Sequence, residues 1–213
     1  MQVKELHGEF NKLHLKHGNK SLCSIYGTGC VKNPKLMFVF MNPTGKNISS
    51  RKDWNGMRAP WLGTKNIWKL FHKLGILSTN LFKKTQRLRP EDWSPNLALR
   101  IYGEFAKRGV YVTNLAKCTQ IDARPLKNSV FEDYLELIYK EIEIVRPKNI
   151  ITFGNQVSSI VLQKQISVSG YKGTKKEMLK IGSKKFPVYP VYYPVGQGMR
   201  NMPLAVKRIK AII

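Results

Sequence analysis

Phe38-Val39-Phe40-Met41-Asn42-Pro43-Thr44-Gly45 is an apolar run that stops abruptly in a polar, turn-forming tetrapeptide. A short run bounded in this way reads as a buried strand, with Asn-Pro-x-Gly as the turn at its carboxyl end. In open α/β sheets that edge is where ligands bind, because backbone amides and fixed side chains converge there. The stretch therefore predicts a buried strand and, directly after it, a place for chemistry.

Working outward, residues 36–40, 110–113, 149–153 and 188–192 form four strand candidates with helical patterns between them. This alternation predicts an α/β protein, a three-layer sandwich with a central, mainly parallel four-stranded sheet flanked by helices. Apolar residues at helical spacing over 67–74 end at Gly75. Ser94 caps a helix over 96–107, with Pro95 at its first position. Ser129 and Glu132 form a capping-box pattern before Phe131, Tyr134, Leu135, Ile138, Ile142 and Val145, in a helix stopped by Pro147. Shorter helices begin at Asn155 and Leu204, and an amphipathic helix over 1–20 stops near Gly18. Residues 47–55 read as a polar, basic loop, and Lys175-Lys176 with Lys184-Lys185 flank a hairpin around Gly182-Ser183. No repeat or linker divides the chain, so residues 1–213 are expected to form one domain.

Lys and Arg number 37 against 13 Asp and Glu, a formal net charge of +24. Thermophile-type surfaces enrich Glu along with Lys, whereas here only one sign is enriched. Such an excess attracts polyanions and points to nucleic acid as the partner, against the competing reading of a basic surface with no specific use. The chain has no apolar signal core and no run of membrane-spanning length, so an intracellular protein away from membranes is expected. Cys23, Cys30 and Cys118 make an odd count with no CxxC pair, which argues against a disulfide framework or a four-thiolate metal site. His7, His14 and His17 lack a carboxylate to complete a ligand set, and His72 lies in a helix of mixed face. All four read as structural or solvent-facing, and no metal or cofactor is expected.

Each strand candidate ends in an unusual segment: Asn42-Pro43-Thr44-Gly45, then Thr113-Asn114-Leu115-Ala116-Lys117-Cys118, then Gly154-Asn155-Gln156. The fourth ends in Tyr193-Pro194-Val195-Gly196-Gln197-Gly198-Met199-Arg200-Asn201. Carboxamides and glycines recur while carboxylates are scarce, which suits recognition of a neutral, hydrogen-bonding group.

These residues resemble the uracil-DNA glycosylase superfamily. Met41-Asn42-Pro43 is similar to the first motif of its single-strand-selective and mismatch-specific branches. The segment from Val110 to Cys118 resembles a strand and loop of the thermostable iron-sulfur branch, and Arg146 to Gly154 resembles the third strand. Pro60-Trp61-Leu62-Gly63 falls where those enzymes place a base-stacking aromatic. The ordered set runs from about Lys35 to the carboxyl end and is far more specific than any one motif. The last motif departs from the family: many relatives have a base-contacting His where this chain has Tyr193. Only Cys118 is in register with the iron ligands, and a later ligand position is Tyr134, so no cluster is expected. Phe40 and Thr44 replace glycines around the first motif.

The resemblance implies a monofunctional DNA glycosylase of base excision repair that releases uracil or another deaminated base flipped out of single- or double-stranded DNA. It implies catalytic roles for Asn42, which can hold the attacking water, and Tyr193, which can donate a hydrogen bond to the departing base. Met41, Thr44, Trp61 and Asn114 would bind the base. Asn114 could pair with uracil and mismatch cytosine, since one carboxamide offers both a donor and an acceptor. Lys46, Arg51, Lys52, Arg58, Gln197, Met199, Arg200 and Asn201 would contact DNA, with Met199-Arg200 as a wedge. The competing readings are turn residues for Asn42 and Asn114, core aromatics for Trp61 and Tyr193, and solvated loops for the basic segments. A monomer is expected. The alternatives are a catalytically silent nucleic-acid-binding member of the fold, suggested by Tyr193, and a hypoxanthine-DNA glycosylase.

Overall fold

A computed structural model describes residues 2–213. A 3-10 turn leads into α1 (His7–His17), followed by β1 (Thr28–Gly29), β2 (Leu36–Phe40), α2 (Asn66–Lys73), α3 (Thr79–Arg87), α4 (Pro95–Lys107) and β3 (Val110–Asn114). Then come α5 (Asn128–Asp133), α6 (Leu135–Val145), β4 (Asn149–Phe153), α7 (Asn155–Leu162), β5 (Glu177–Ile181), β6 (Lys184–Val191) and α8 (Met202–Lys210). Among the described residues the sheet has six strands in the order β1-β3-β2-β4-β6-β5. The four expected strands are its parallel centre, and two antiparallel edges, β1 on β3 and β5 on β6, correct the count. β1 has only two residues, too few to leave a pattern. β5 is the outer half of the Gly182-Ser183 hairpin, and only Leu179 and Ile181 of it are buried.

The central strands read as continuous apolar runs because both sheet faces are covered, and their side chains alternate between the two layers. Phe38, Phe40, Val112, Ile151, Phe153 and Val191 pack with Trp68 of α2, Leu97 of α4 and Ile209 of α8. Met37, Val39, Tyr111, Ile150 and Val188 pack with Phe10 of α1, Phe131 of α5, Ile142 of α6 and Val157 of α7. This is the expected three-layer sandwich.

Local signals held where a cap is encoded by the residues themselves. The Ser94 hydroxyl accepts from the Leu97 amide at 3.3 Å, with Pro95 opening α4. The capping box at Ser129 does not form: Lys127 is the N-cap, Ser129 lies inside α5, and the helix breaks at fully buried Tyr134 before α6. α3 was not expected, although Leu81, Phe82, Thr85 and Leu88 fall at helical spacing and face the core. Residues 47–55 are not a plain loop. Asn47 to Ser50 are buried, with the Asn47 carboxamide accepting from the Ser49 amide at 3.0 Å and donating to the Ala59 carbonyl at 2.8 Å.

His14 ties α1 to the segment after β3. Its ring lies 2.9 Å from the Leu22 carbonyl through Nε2, and Nδ1 accepts from the Thr119 amide at 3.3 Å. Burial holds its pKa below the ordinary value, against the opposing pull of the Leu22 carbonyl. The unfolded chain takes up this proton near the usual value of about 6.5, so the contribution of a neutral His14 is complete above that pH and is lost as pH falls below it. Wild-type protein should lose more urea resistance between pH 7 and pH 5 than His14→Gln. Parallel pH profiles for the two proteins would overturn this assignment.

Candidate active site

The parallel register brings the chemically distinctive strand ends to one edge. Phe40 pairs with Asn114 and Phe153 with Val191. Beyond the strands, the Leu115 amide donates to the Phe40 carbonyl at 2.7 Å and the Ala116 amide to the Met41 carbonyl at 3.0 Å. Asn42 therefore follows β2, Asn114 closes β3 beside it, and Tyr193 follows β6 two residues past Val191.

An aromatic cluster underlies these groups. Phe40 stacks on Phe153 with ring centroids 4.3 Å apart, Trp61 meets Phe40 edge-on at 5.0 Å, and Tyr193 does so at 6.4 Å. Phe40, which stands in place of the resembling family's glycine, is the centre of this cluster. Trp61 has φ of +69°. A bulky residue in that region costs roughly 1–3 kcal/mol and persists only where the surroundings impose it. The Thr64 amide and hydroxyl both donate to the Trp61 carbonyl, at 3.1 and 2.6 Å, and hold the turn. Its indole nitrogen is buried with no hydrogen-bond partner among the described residues.

The polar groups at this edge are underused. Asn42 donates its amide nitrogen to the Pro43 carbonyl at 3.1 Å, which leaves its carbonyl oxygen without a partner among the described residues. Asn114 is 2% exposed, and no hydrogen bond to its carboxamide is formed by the described residues. Neither carboxamide is among the buried side-chain groups left without a partner, so their free atoms stay within reach of solvent and of an incoming hydrogen-bonding group. Burial pushes the Tyr193 phenol up to about 12, which keeps it a hydrogen-bond donor at neutral pH. Gly198 lies against the Tyr193 carbonyl so closely that a Cβ there would collide with backbone, and glycine keeps the turn closed.

Other expected site residues are distributed differently. Met41 packs into the opposite layer, with α1 and α5 to α7, and its carbonyl is occupied by Ala116. Half-buried Thr44 bridges to Gln120, whose amide donates to the Pro43 carbonyl at 3.1 Å and whose carbonyl accepts from Gly45 at 2.7 Å. Lys46, Arg51 and Lys52 are exposed, but Arg58 is turned inward and donates to the Ser49 and Arg51 carbonyls at 2.7 and 3.0 Å. Gln197 and Arg200 are exposed on a 3-10 turn spanning Gly196–Asn201, where Asn201 is half-buried and Met199 packs against the aromatic layer.

Sequence reasoning missed a fully buried ionic cluster directly behind Asn114. The Lys117 amine donates to the Thr113 hydroxyl at 2.5 Å, the Asn114 carbonyl at 2.6 Å and the Glu141 carboxylate at 2.7 Å. Tyr111 and Thr113 also donate to Glu141, at 2.7 and 3.0 Å. Burial lowers the pKa of Lys117, while the adjacent carboxylate opposes that shift, and burial with the same carboxylate raises that of Tyr111. Gly27 is obligatory above this cluster, because a Cβ there would strike the Tyr111 hydroxyl and Glu141. A signal was present: Glu141 falls in the apolar stripe Ile138, Ile142 and Val145 of one helix.

The residues do not fit an iron-sulfur cluster. Cys118 is buried in the core beside Tyr134, whose own hydroxyl is buried, while Cys23 and Cys30 lie on separate segments. Among the described residues no group of three or more His, Cys, Asp or Glu side chains is placed to hold a metal. Two surface depressions, of about 430 Å³ beside α3 and about 160 Å³ beside the 119–126 segment, are lined by neither Asn42, Asn114 nor Tyr193. The strand ends, rather than cavity volume, mark the site.

The fold is a mainly parallel α/β sheet with carboxamides and aromatic rings gathered at its carboxyl edge, on a strongly basic chain. The chain belongs to the uracil DNA glycosylase superfamily, whose family model matches residues 26–210. Members of this superfamily are in general DNA glycosylases, hydrolases that act on DNA in base excision repair. A comparison with curated proteins found no match. Among the described residues no helix is long and apolar enough to cross a membrane.

Proposed function

We propose that this chain is a monofunctional, metal-independent DNA glycosylase that releases uracil, or a related deaminated base, flipped out of DNA, acting as a monomeric single domain. The observation that carries this reading is the pair of carboxamides at adjoining strand ends, Asn42 after β2 and Asn114 closing β3, each with polar atoms unpartnered among the described residues, at the edge where the Phe40 and Trp61 rings meet.

The base enters with its face on Trp61 and its edge toward Asn114. The Asn114 amide donates to O4 and its carbonyl accepts the N3 proton; cytosine presents the reverse pattern and leaves both groups mismatched. The Asn42 carbonyl accepts a hydrogen bond from a water and holds it toward C1′. As the N-glycosidic bond breaks, its electron pair leaves with the base, the water oxygen bonds to C1′, and the water proton passes to solvent. Asn42 is no base, so the rate comes from stabilising the leaving group. Tyr193, protonated at neutral pH, donates to the developing base anion. Thr44 flanks the base on the turn bridged to Gln120, and the Met41 backbone, bonded to Ala116, anchors that turn. Lys46, Arg51, Lys52, Gln197 and Asn201 contact the strand, Arg58 shapes the loop, and Arg200 beside Met199 fills the gap left by the base.

The test is base release from oligonucleotides carrying uracil, hypoxanthine, xanthine or thymine, in single and double strands. Uracil release is expected, with Tyr193→Phe slower by about ten- to a hundredfold under single turnover. Tyr193 in the place of the relatives' histidine favours one other reading, a silent binding protein. DNA binding with no base released from any of the four substrates would establish that reading instead.

A further inference from the structure

Between Asp53 and Glu91 the chain has no acidic residue, and α2 and α3 lie wholly within that interval. On α3, Leu81 and Thr85 point inward, while Asn80, Lys83, Lys84 and Arg87, at spacings of three and four, are exposed. These four residues and Leu88 line the depression of about 430 Å³. Among the described residues neither lysine nor Arg87 has an ion-pair partner, although Arg89 nearby is held by Glu91 and Asp92 at 3.4 and 3.1 Å. Like charges at positions four apart on a helix oppose its formation, and the helix dipole favours cations in the last turn without neutralising them. An uncompensated cationic face around a depression is complementary to a polyanion.

Its position selects which polyanion. Gln86 donates to the Lys65 carbonyl at 3.0 Å, so the end of α3 abuts the start of α2. Trp68 of α2 donates to the Thr64 carbonyl at 2.8 Å, and Thr64 closes the turn of Trp61. The cationic face therefore adjoins the wall on which the base is proposed to stack. We infer that the α3 face is a second DNA-contact surface, which grips phosphodiesters of the strand beyond the nucleotide in the cleft. Lys83, Lys84 and Arg87 bind the phosphates, Asn80 adds a neutral donor, and Leu88 offers an apolar wall to a sugar. This inference rests on the reading that the cleft holds DNA.

The experiment compares full-length wild type, the triple variant Lys83→Ala, Lys84→Ala, Arg87→Ala, and an equal-charge control. The control, Lys180→Ala, Lys184→Ala, Lys185→Ala, lies on the β5–β6 hairpin, where β6 begins and hence at the opposite edge of the parallel sheet. Affinity for undamaged duplexes of 10 and 40 base pairs is measured against salt. The α3 variant should reduce the slope of log K on log salt by about two to three, near 0.9 per lost phosphate contact, and should lose the gain from the longer duplex. The control should change the slope by less than one. Lys84→Gln alone should reduce it by about one, and serves if the triple variant fails to fold. Equal slopes for the two triple variants, or an α3 variant like wild type, would overturn the inference. Because the probes carry no damaged base, an inactive wild type with the expected slopes would refute the glycosylase reading and leave the surface standing.

Discussion

Asn42→Ala is expected to slow base release by about a hundred- to a thousandfold with little change in DNA affinity. The loss corresponds to one hydrogen-bonding group that acts in the transition state. Ala removes the carbonyl that has no partner among the described residues and is proposed to hold the water. It also removes the hydrogen bond to the Pro43 carbonyl, a local contact in a turn otherwise fixed by the two Gln120 backbone bonds. Asn42 bonds to none of the cations proposed to contact DNA, so binding should survive. Single-turnover release and equilibrium binding of a uracil-containing oligonucleotide separate the two quantities. An Asn42→Ala protein as fast as wild type would remove the catalytic assignment while leaving family membership intact.

Lys117→Ala is expected to cost about 3–5 kcal/mol of stability, the usual loss when one partner of a buried ion pair is removed. The Glu141 carboxylate would remain fully buried with only the Tyr111 and Thr113 hydroxyls to solvate it. The Asn114 carbonyl would lose its donor at the strand end. The double variant Lys117→Met, Glu141→Gln should recover at least half of the loss, because the amide oxygen still accepts from Tyr111 and Thr113 and no buried charge is left alone. Urea unfolding at neutral pH measures both. A Lys117→Ala protein within about 1 kcal/mol of wild type would contradict a net structural role for the pair.

These two residues show how differently the site could be read in advance. Asn42 stood at the end of a continuous apolar strand in a recognisable turn, so local pattern located it. Lys117 stood in the same resembling segment, but its partner Glu141 is 24 positions away on a helix, and only the packing of α6 over β3 joins them. Trp61 was placed by its motif, whereas its left-handed backbone and its contact with Phe40 arise from how the 47–64 segment folds back on the sheet. Arg58 illustrates the opposite case. Its charge suggested phosphate contact, yet the buried turn at Asn47 to Ser50 supplies carbonyls that draw the guanidinium inward.

The sequence by itself determined the α/β architecture, the four central strands, the caps of α4, the polyanion-seeking charge and the superfamily. Each is carried by periodicity, composition or an ordered set of short motifs, which are properties of neighbouring residues. Only the tertiary structure decided the two edge strands, the break at Tyr134, the inward turn of Arg58 and the Lys117–Glu141 cluster; α3 was missed although its apolar residues recur at helical spacing. Those features depend on which surfaces are covered and which distant groups satisfy one another, and a buried polar group is stable only with partners that the local pattern does not name.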